Sequence, residues 1–158
     1  MKQLSIYLAG PFFTPEQVVR LASIEALCSE FGILCYSPRK FKVLKPDASE
    51  YDKTSVFKDN IDSIKSATVV LACIDVKDTG TIWEMGYAFG TGIPVVTFTL
   101  TGQKMNVMLA NSCVGFLESF EDVKRFLKGH PTQYHEIEAT GYWFQFNWDI
   151  AKKWKKEV

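Results

Sequence analysis

The chain has no excess of either charge: lysine plus arginine and aspartate plus glutamate both number 18, so the formal net charge is zero. No basic stripe stands out, which argues against a nucleic-acid partner. No apolar run approaches the roughly 20 residues that a membrane span requires, so no membrane partner is expected. Neither a G-x-G-x-x-G turn nor a G-K-[ST] phosphate loop occurs, which leaves a dinucleotide or triphosphate site without support. No cofactor is expected. The four cysteines, Cys28, Cys35, Cys73 and Cys113, lie far apart with no C-x-x-C spacing. They read as reduced core residues, and no metal site is expected. His130 and His135 sit in a polar stretch near Pro131 and read as surface residues. The N-terminus carries one lysine and a short apolar run before Gly10-Pro11, unlike a signal peptide. A cytoplasmic location is the expectation.

What the chain does have is apolar mass: 158 residues, 47% of them hydrophobic, predict one domain over residues 1–158 with one substantial core. Residues 4–9 read as a strand ending at the Gly10-Pro11 turn. Thr14, Pro15 and Gln17 form a capping box with a proline at the first helical position. Val18, Leu21, Ile24, Leu27 and Phe31 follow at helical spacing until Gly32. Further strands are predicted at 33–36, 68–74, 94–98 and 114–117, and helices at 53–66, 81–89, 106–111 and 120–127. The polar segment 39–52 reads as a mobile loop in which Arg39 is a solvated charge. The tail crowds Tyr142, Trp143, Phe144, Phe146, Trp148 and Trp154 before four lysines, and reads as an amphipathic helix packed on its own domain or on a neighbouring subunit. The alternation predicts an α/β fold: a five-stranded, mainly parallel, doubly wound sheet of flavodoxin-like type.

The chemistry concentrates in Glu84-Met85-Gly86-Tyr87-Ala88-Phe89-Gly90, preceded by Asp78-Thr79-Gly80. A carboxylate in an apolar helix start is costly unless it is paired, hydrogen-bonded or functional. Packing explains an acid among Ile82, Trp83, Met85 and Tyr87 poorly, and the loop after a strand is where open α/β sheets bind ligands. Glu84 is therefore the first catalytic candidate. Taken singly, Tyr7 would be a strand residue, Phe12 and Phe13 core, Asp78 a turn or helix cap, and Asn106 a helix cap. Together, three elements should converge at the carboxyl edge of the sheet: Tyr7 with Gly10-Pro11-Phe12-Phe13, Asp78 to Glu84, and Lys58-Asp59-Asn60. Aromatics and acids in one crevice suit a flat heteroaromatic ring attached to a polyol.

With these motifs the chain resembles the nucleoside 2-deoxyribosyltransferase family. The marks are the strand and turn Tyr7-Leu8-Ala9-Gly10-Pro11-Phe12-Phe13, an Asp-x-Gly-(x)3-Glu-(Leu/Met)-Gly-Tyr-Ala signature at Asp78 to Ala88, and Asn106-Val107-Met108. The resemblance covers residues 4–117 in order. It implies retaining transfer of 2-deoxyribose from a deoxynucleoside to a free nucleobase, with Glu84 as the nucleophile that forms a glycosyl ester. Tyr7 would orient the nucleophile, Asp78 would accept hydrogen bonds from sugar hydroxyls, and Gly80 would allow close backbone approach. Phe12 and Phe13, beside Gly10, would stack on the base. Asn106 and Met108 would complete a neighbouring subunit's site, which implies a homo-oligomer, a dimer or a hexamer of dimers.

Two departures from the family pattern stand out. The family's base-contacting aspartate falls in register on Asn60, with Asp59 beside it, and an amide cannot donate a proton as an acid. Base protonation would then fall to Asp59 or Asp62 through a shifted register, or be lost. The C-terminal tyrosine of some members is absent, or replaced by Tyr142 or another tail aromatic. The alternative within the superfamily is a nucleoside 5′-monophosphate N-glycosidase, in which water attacks the intermediate. The Gly-Pro-Phe-Phe turn lacks the small hydroxylic and basic groups of a phosphate subsite, while Ser112 keeps that alternative open. A non-catalytic nucleoside-binding module is the third reading, and it leaves Glu84 unexplained.

Overall fold

The apolar runs at 5–9, 69–73 and 95–98 become strands, and Thr14, Ser49, Asp78 and Asn106 cap helices between the strands. The computed structural model describes residues 4–41, 43–129, 136–139 and 142–145. Strand β1 (Ser5–Ala9) leads to helix α1 (Pro15–Glu30), whose capping box joins Thr14 and Gln17. Gly32, at φ 65°, takes the left-handed conformation that stops α1. Then come β2 (Leu34–Tyr36), α2 (Pro38–Phe41), α3 (Glu50–Ser66), β3 (Val69–Cys73), α4 (Thr79–Gly90) and β4 (Val95–Phe98). Helix α5 (Val107–Asn111), β5 (Gly115–Leu117), α6 (Phe120–Gly129), β6 (Glu136–Ala139) and β7 (Tyr142–Gln145) complete the order.

The first five strands form one all-parallel sheet in the order β2-β1-β3-β4-β5. Leu21, Ile24, Leu27 and Cys28 of α1 pack with Val123, Phe126 and Leu127 of α6 on one face. Ile64 of α3 and Met85 and Ala88 of α4 fill the other. The chain reverses its winding between β1 and β3, and open sheets of this kind bind ligands at the carboxyl ends of the strands at such a point. β6 and β7 pair antiparallel in a separate two-stranded sheet.

Three expectations are corrected. Residues 38–41 are helical rather than loop, because Phe41 stacks on Tyr36 with ring centroids 4.2 Å apart. Arg39 is no solvated charge: its guanidinium forms a forked ion pair with the buried Glu25 of α1, the Nε–Oε1 distance being 2.8 Å. Residues 142–145 form a strand rather than part of a helix, consistent with the strand preference of Tyr, Trp and Phe. His130, His135 and the terminal lysines lie outside the described residues. Among the described residues, no helix is long and apolar enough to cross a membrane.

Gly10 closes β1 against both α1 and β3. A Cβ there would lie 2.8 Å from Leu21 Cδ2 and 3.0 Å from Cys73 Cβ, so the turn approaches its neighbours too closely for a side chain. Gly10→Ala is therefore expected to lower unfolding stability by about 1–3 kcal/mol through overpacking. Chemical denaturation measures this, and an unchanged midpoint would show that the turn tolerates the methyl.

Candidate active site

Tyr7 is wholly buried on the α3/α4 face of β1, but its hydroxyl reaches the helix layer and donates to Glu84 Oε1 at 2.5 Å. The link spans 77 residues of sequence and joins the two elements that flank the switch point between β1 and β3. Glu84 Oε2 accepts no hydrogen bond among the described residues. Burial pushes the Glu84 carboxyl up to about 7, against the Tyr7 hydrogen bond, which lowers it; the Asp78 charge raises it further. The Tyr7 hydroxyl is driven far above its ordinary value, by burial first and then by the Glu84 charge, so it remains a donor at every working pH.

Asp78 caps α4. Its Oδ2 accepts from the Thr81 amide at 2.7 Å and from the Thr81 hydroxyl at 2.6 Å. Its Oδ1 accepts no hydrogen bond among the described residues, so capping leaves that oxygen uncommitted. Gly80 keeps the carboxylate clear, since a Cβ there would sit 3.3 Å from Asp78 Oδ2. Asp78 thus caps the helix that carries Glu84, close enough for its charge to act on the Glu84 carboxyl.

The loop carrying Asp78 is anchored by a residue that the sequence did not single out. Asp75 takes an ion pair from Arg20 Nε at 3.0 Å and hydrogen bonds from the Thr99 hydroxyl at 2.6 Å and the Leu100 amide at 2.8 Å. The amide and hydroxyl of Thr101 add two more at 3.0 and 2.9 Å. Burial alone would raise the Asp75 carboxyl, but the hydrogen bonds from Thr99, Leu100 and Thr101 prevail and hold it below its ordinary value. The loop after β3 is thereby tied to the loop after β4.

The other anticipated residues divide. Phe12 is partly buried against the α1/α6 core, and Phe13, stacked on it at 5.5 Å, is 75% exposed. Of the two, Phe13 is the exposed ring. Asp59 is exposed on α3, while Asn60 is half-buried and accepts from the Tyr36 hydroxyl at 3.3 Å. Asn106 caps α5 by accepting from the Leu109 amide at 3.0 Å, and Met108 projects 75% exposed. Among the described residues no hydrogen bond joins Asn106 or Met108 to Tyr7, Asp78 or Glu84. Asn106 instead lines a cavity of about 340 Å³ with Thr81 and Ile82. Ser112 spends its hydroxyl on Leu109 O at 3.0 Å, closing α5.

Tyr36 was missed. It pairs in register with Tyr7 on the neighbouring strand, and the two rings stack at 5.5 Å and 15°. An aromatic closing the second strand was the available signal, but it gains meaning only once β2 is known to lie beside β1.

A sequence profile of the nucleoside 2-deoxyribosyltransferase family matches residues 6–138. Among solved structures, the 2-deoxyribosyltransferase of Bacillus psychrosaccharolyticus is 33% identical, with a TM-score of 0.69 over 76% of this chain and 90% of that one. A conserved protein of Enterococcus faecalis is 19% identical, with a TM-score of 0.70 over 82% of this chain and 100% of its own. A CMP N-glycosidase of Clostridium botulinum is 16% identical, with a TM-score of 0.54 over 79% of this chain and 95% of its own. The last two share the fold. No curated protein matches. The profile match takes in both the Tyr7 strand and the Asp78–Glu84 helix, and with the identity to a solved deoxyribosyltransferase it places this chain in the nucleoside 2-deoxyribosyltransferase family.

Proposed function

We propose that the protein transfers 2-deoxyribose from a deoxynucleoside to a second nucleobase with retention of configuration. The Tyr7–Glu84 hydrogen bond carries this reading, because it sets a half-buried carboxylate with one uncommitted oxygen at the ligand-binding edge of the sheet. Glu84 Oε2 attacks the anomeric carbon as the glycosidic C–N bond breaks, and the electron pair leaves with the base nitrogen. An incoming base then attacks the same carbon, the ester C–O bond breaks, and Glu84 is restored as a carboxylate. Two inversions give net retention. Asp78 Oδ1 accepts from the sugar hydroxyls, and Phe13 covers the base.

The same reading includes a cytoplasmic salvage role and a homo-oligomer. Val107 and Met108 on α5 are 72% and 75% exposed, and Tyr51 on α3 is 82% exposed. A second copy covering α5 would bring Asn106 and Met108 to a neighbouring site.

The test is to incubate the protein with deoxyinosine or thymidine and a second free base, then separate nucleosides from free sugar. A new deoxynucleoside supports transfer. Free deoxyribose alone indicates a hydrolase, and no reaction with several donors leaves a binding module. Ribonucleosides are expected to react at least about tenfold more slowly in kcat/KM, because the 2-hydroxyl withdraws electrons from the developing cation. Equal values for inosine and deoxyinosine would contradict a site selective for the deoxy sugar.

A further inference from the structure

The turn from α1 to β2 brings two of the four cysteines together. Gly32 ends the helix at φ 65°, and the Ile33 amide donates back to Cys28 O at 2.8 Å, so the chain folds directly onto the helix it has left. Cys35, the middle residue of β2, pairs in register with Ile6 of β1. Residues paired in register project on the same face of a sheet, and Ile6 belongs to the core beneath α1. Cys35 therefore turns towards α1, while its neighbour Tyr36 turns to the opposite face beside Tyr7. Cys28 is wholly buried in that core, and Cys35 packs against it half-buried. There the two thiols meet: a hydrogen bond from Cys35 holds Cys28 below its ordinary value, against burial and the Glu25 charge. The other two cysteines face oxygen instead. Cys73 Sγ donates to Asp75 Oδ2 at 3.7 Å and Cys113 Sγ to Ala110 O at 3.5 Å.

We propose that Cys28 and Cys35 form a reversible redox site, which hydrogen peroxide closes to a disulfide that ties the edge strand β2 to α1. The Cys28 thiolate attacks one peroxide oxygen, the O–O bond breaks, and the departing hydroxide takes up a proton and leaves as water. The Cys35 sulfur then attacks the Cys28 sulfenic acid. The S–S bond forms as the S–O bond breaks, and the hydroxyl leaves with the Cys35 proton as a second water. Two thiols give up two electrons, and one peroxide is reduced. Cys35 supplies the entry, because its half-buried place on the edge strand admits a water-sized oxidant to a sulfur that α1 otherwise covers. The short turn already holds both cysteines, so little loop-closure entropy opposes the bond. Four cysteines buried merely as small apolar residues would show no such preference for one pair.

The experiment treats the reduced full chain with hydrogen peroxide, unfolds it in N-ethylmaleimide, weighs it intact and maps any crosslink by proteolysis. The wild type should lose two of its four titratable thiols and the mass of two hydrogen atoms, with Cys28 joined to Cys35. Dithiothreitol should restore all four thiols, and Cys73 and Cys113 should alkylate fully throughout. Cys35→Ser and Cys28→Ala should each form no disulfide. Should either variant fail to fold, the crosslink map of the wild type decides alone. By constraining the unfolded chain, the disulfide should also raise the unfolding midpoint of the wild type measured without reductant. Four free thiols after peroxide, a disulfide between any other partners, oxygen atoms added at Cys28 or Cys35 in place of hydrogen lost, or a midpoint no higher in the crosslinked protein would each overturn the proposal.

Discussion

Replacing Glu84 with glutamine is expected to reduce deoxyribosyl transfer by at least about a thousandfold, with the fold intact. Glutamine has the same shape, and its carbonyl can still accept from Tyr7, whose hydroxyl lies 2.5 Å from Glu84 Oε1. What it lacks is the negative charge on the second oxygen, and with it both the nucleophile and the electrostatic partner of an oxocarbenium-like transition state. A purely structural Glu84 would give a different result, with turnover preserved. Intact mass after incubation with a deoxynucleoside and a poor acceptor should show a deoxyribosyl adduct on the wild type and none on Glu84→Gln. Near-normal kcat/KM in a folded Glu84→Gln protein would remove Glu84 from the chemistry.

The same substitution should stabilise the protein, with a defined pH dependence. Folding raises the Glu84 carboxyl from 4.5 to about 7, chiefly through burial, so the folded state holds this proton more tightly than the unfolded chain does. The associated stability is fully present below 4.5 and is lost as pH rises through about 7. At pH 8 the wild type therefore carries a cost on the order of 3 kcal/mol for keeping the carboxylate desolvated. Glu84→Gln escapes that cost, so its stability advantage should grow between pH 4 and pH 8. Parallel stability curves for the two proteins would show that Glu84 is better solvated than its position implies.

Much of this architecture was legible because its signals are local. The strand at 68–74 and the helix that follows announce themselves by composition, and Thr14 and Asp78 both cap helices as short-range motifs would have them. Glu84 stood out for an equally local reason, an acid within apolar neighbours. Residues whose partners are distant in sequence were not legible. Helix α2 sits in a polar stretch with weak periodicity, and its stabilising contacts come from Tyr36 and from Glu25. Asp75 lies just past the strand predicted at 68–74, and its hydrogen bonds come from residues 99–101 across the sheet edge. Tyr36 needed the strand order as well as the sequence. Placing β2 beside β1 is what turns two separate tyrosines into one stack.

That stack frames the second large effect. Tyr7→Phe is expected to lower kcat/KM by about a hundredfold near pH 6, the worth of a hydrogen bond to a charged group. The Tyr7 hydroxyl is the interaction that lowers the Glu84 carboxyl against burial and the Asp78 charge. Without it the carboxyl rises above about 7, and near neutrality most molecules hold a protonated, non-nucleophilic Glu84. The acidic limb of the kcat/KM profile should therefore move to higher pH in Tyr7→Phe, and part of the activity should return by pH 9. The remaining deficit reflects lost orientation, because the unbonded carboxylate is free to rotate away from the attack line. Phenylalanine keeps the ring against Tyr36, so packing at 5.5 Å is preserved and the pH shift reports the hydroxyl alone. A Tyr7→Phe enzyme slowed equally at every pH would mean that Tyr7 orients Glu84 without tuning it. Wild-type activity across the whole range would mean that the hydrogen bond has no part in the reaction.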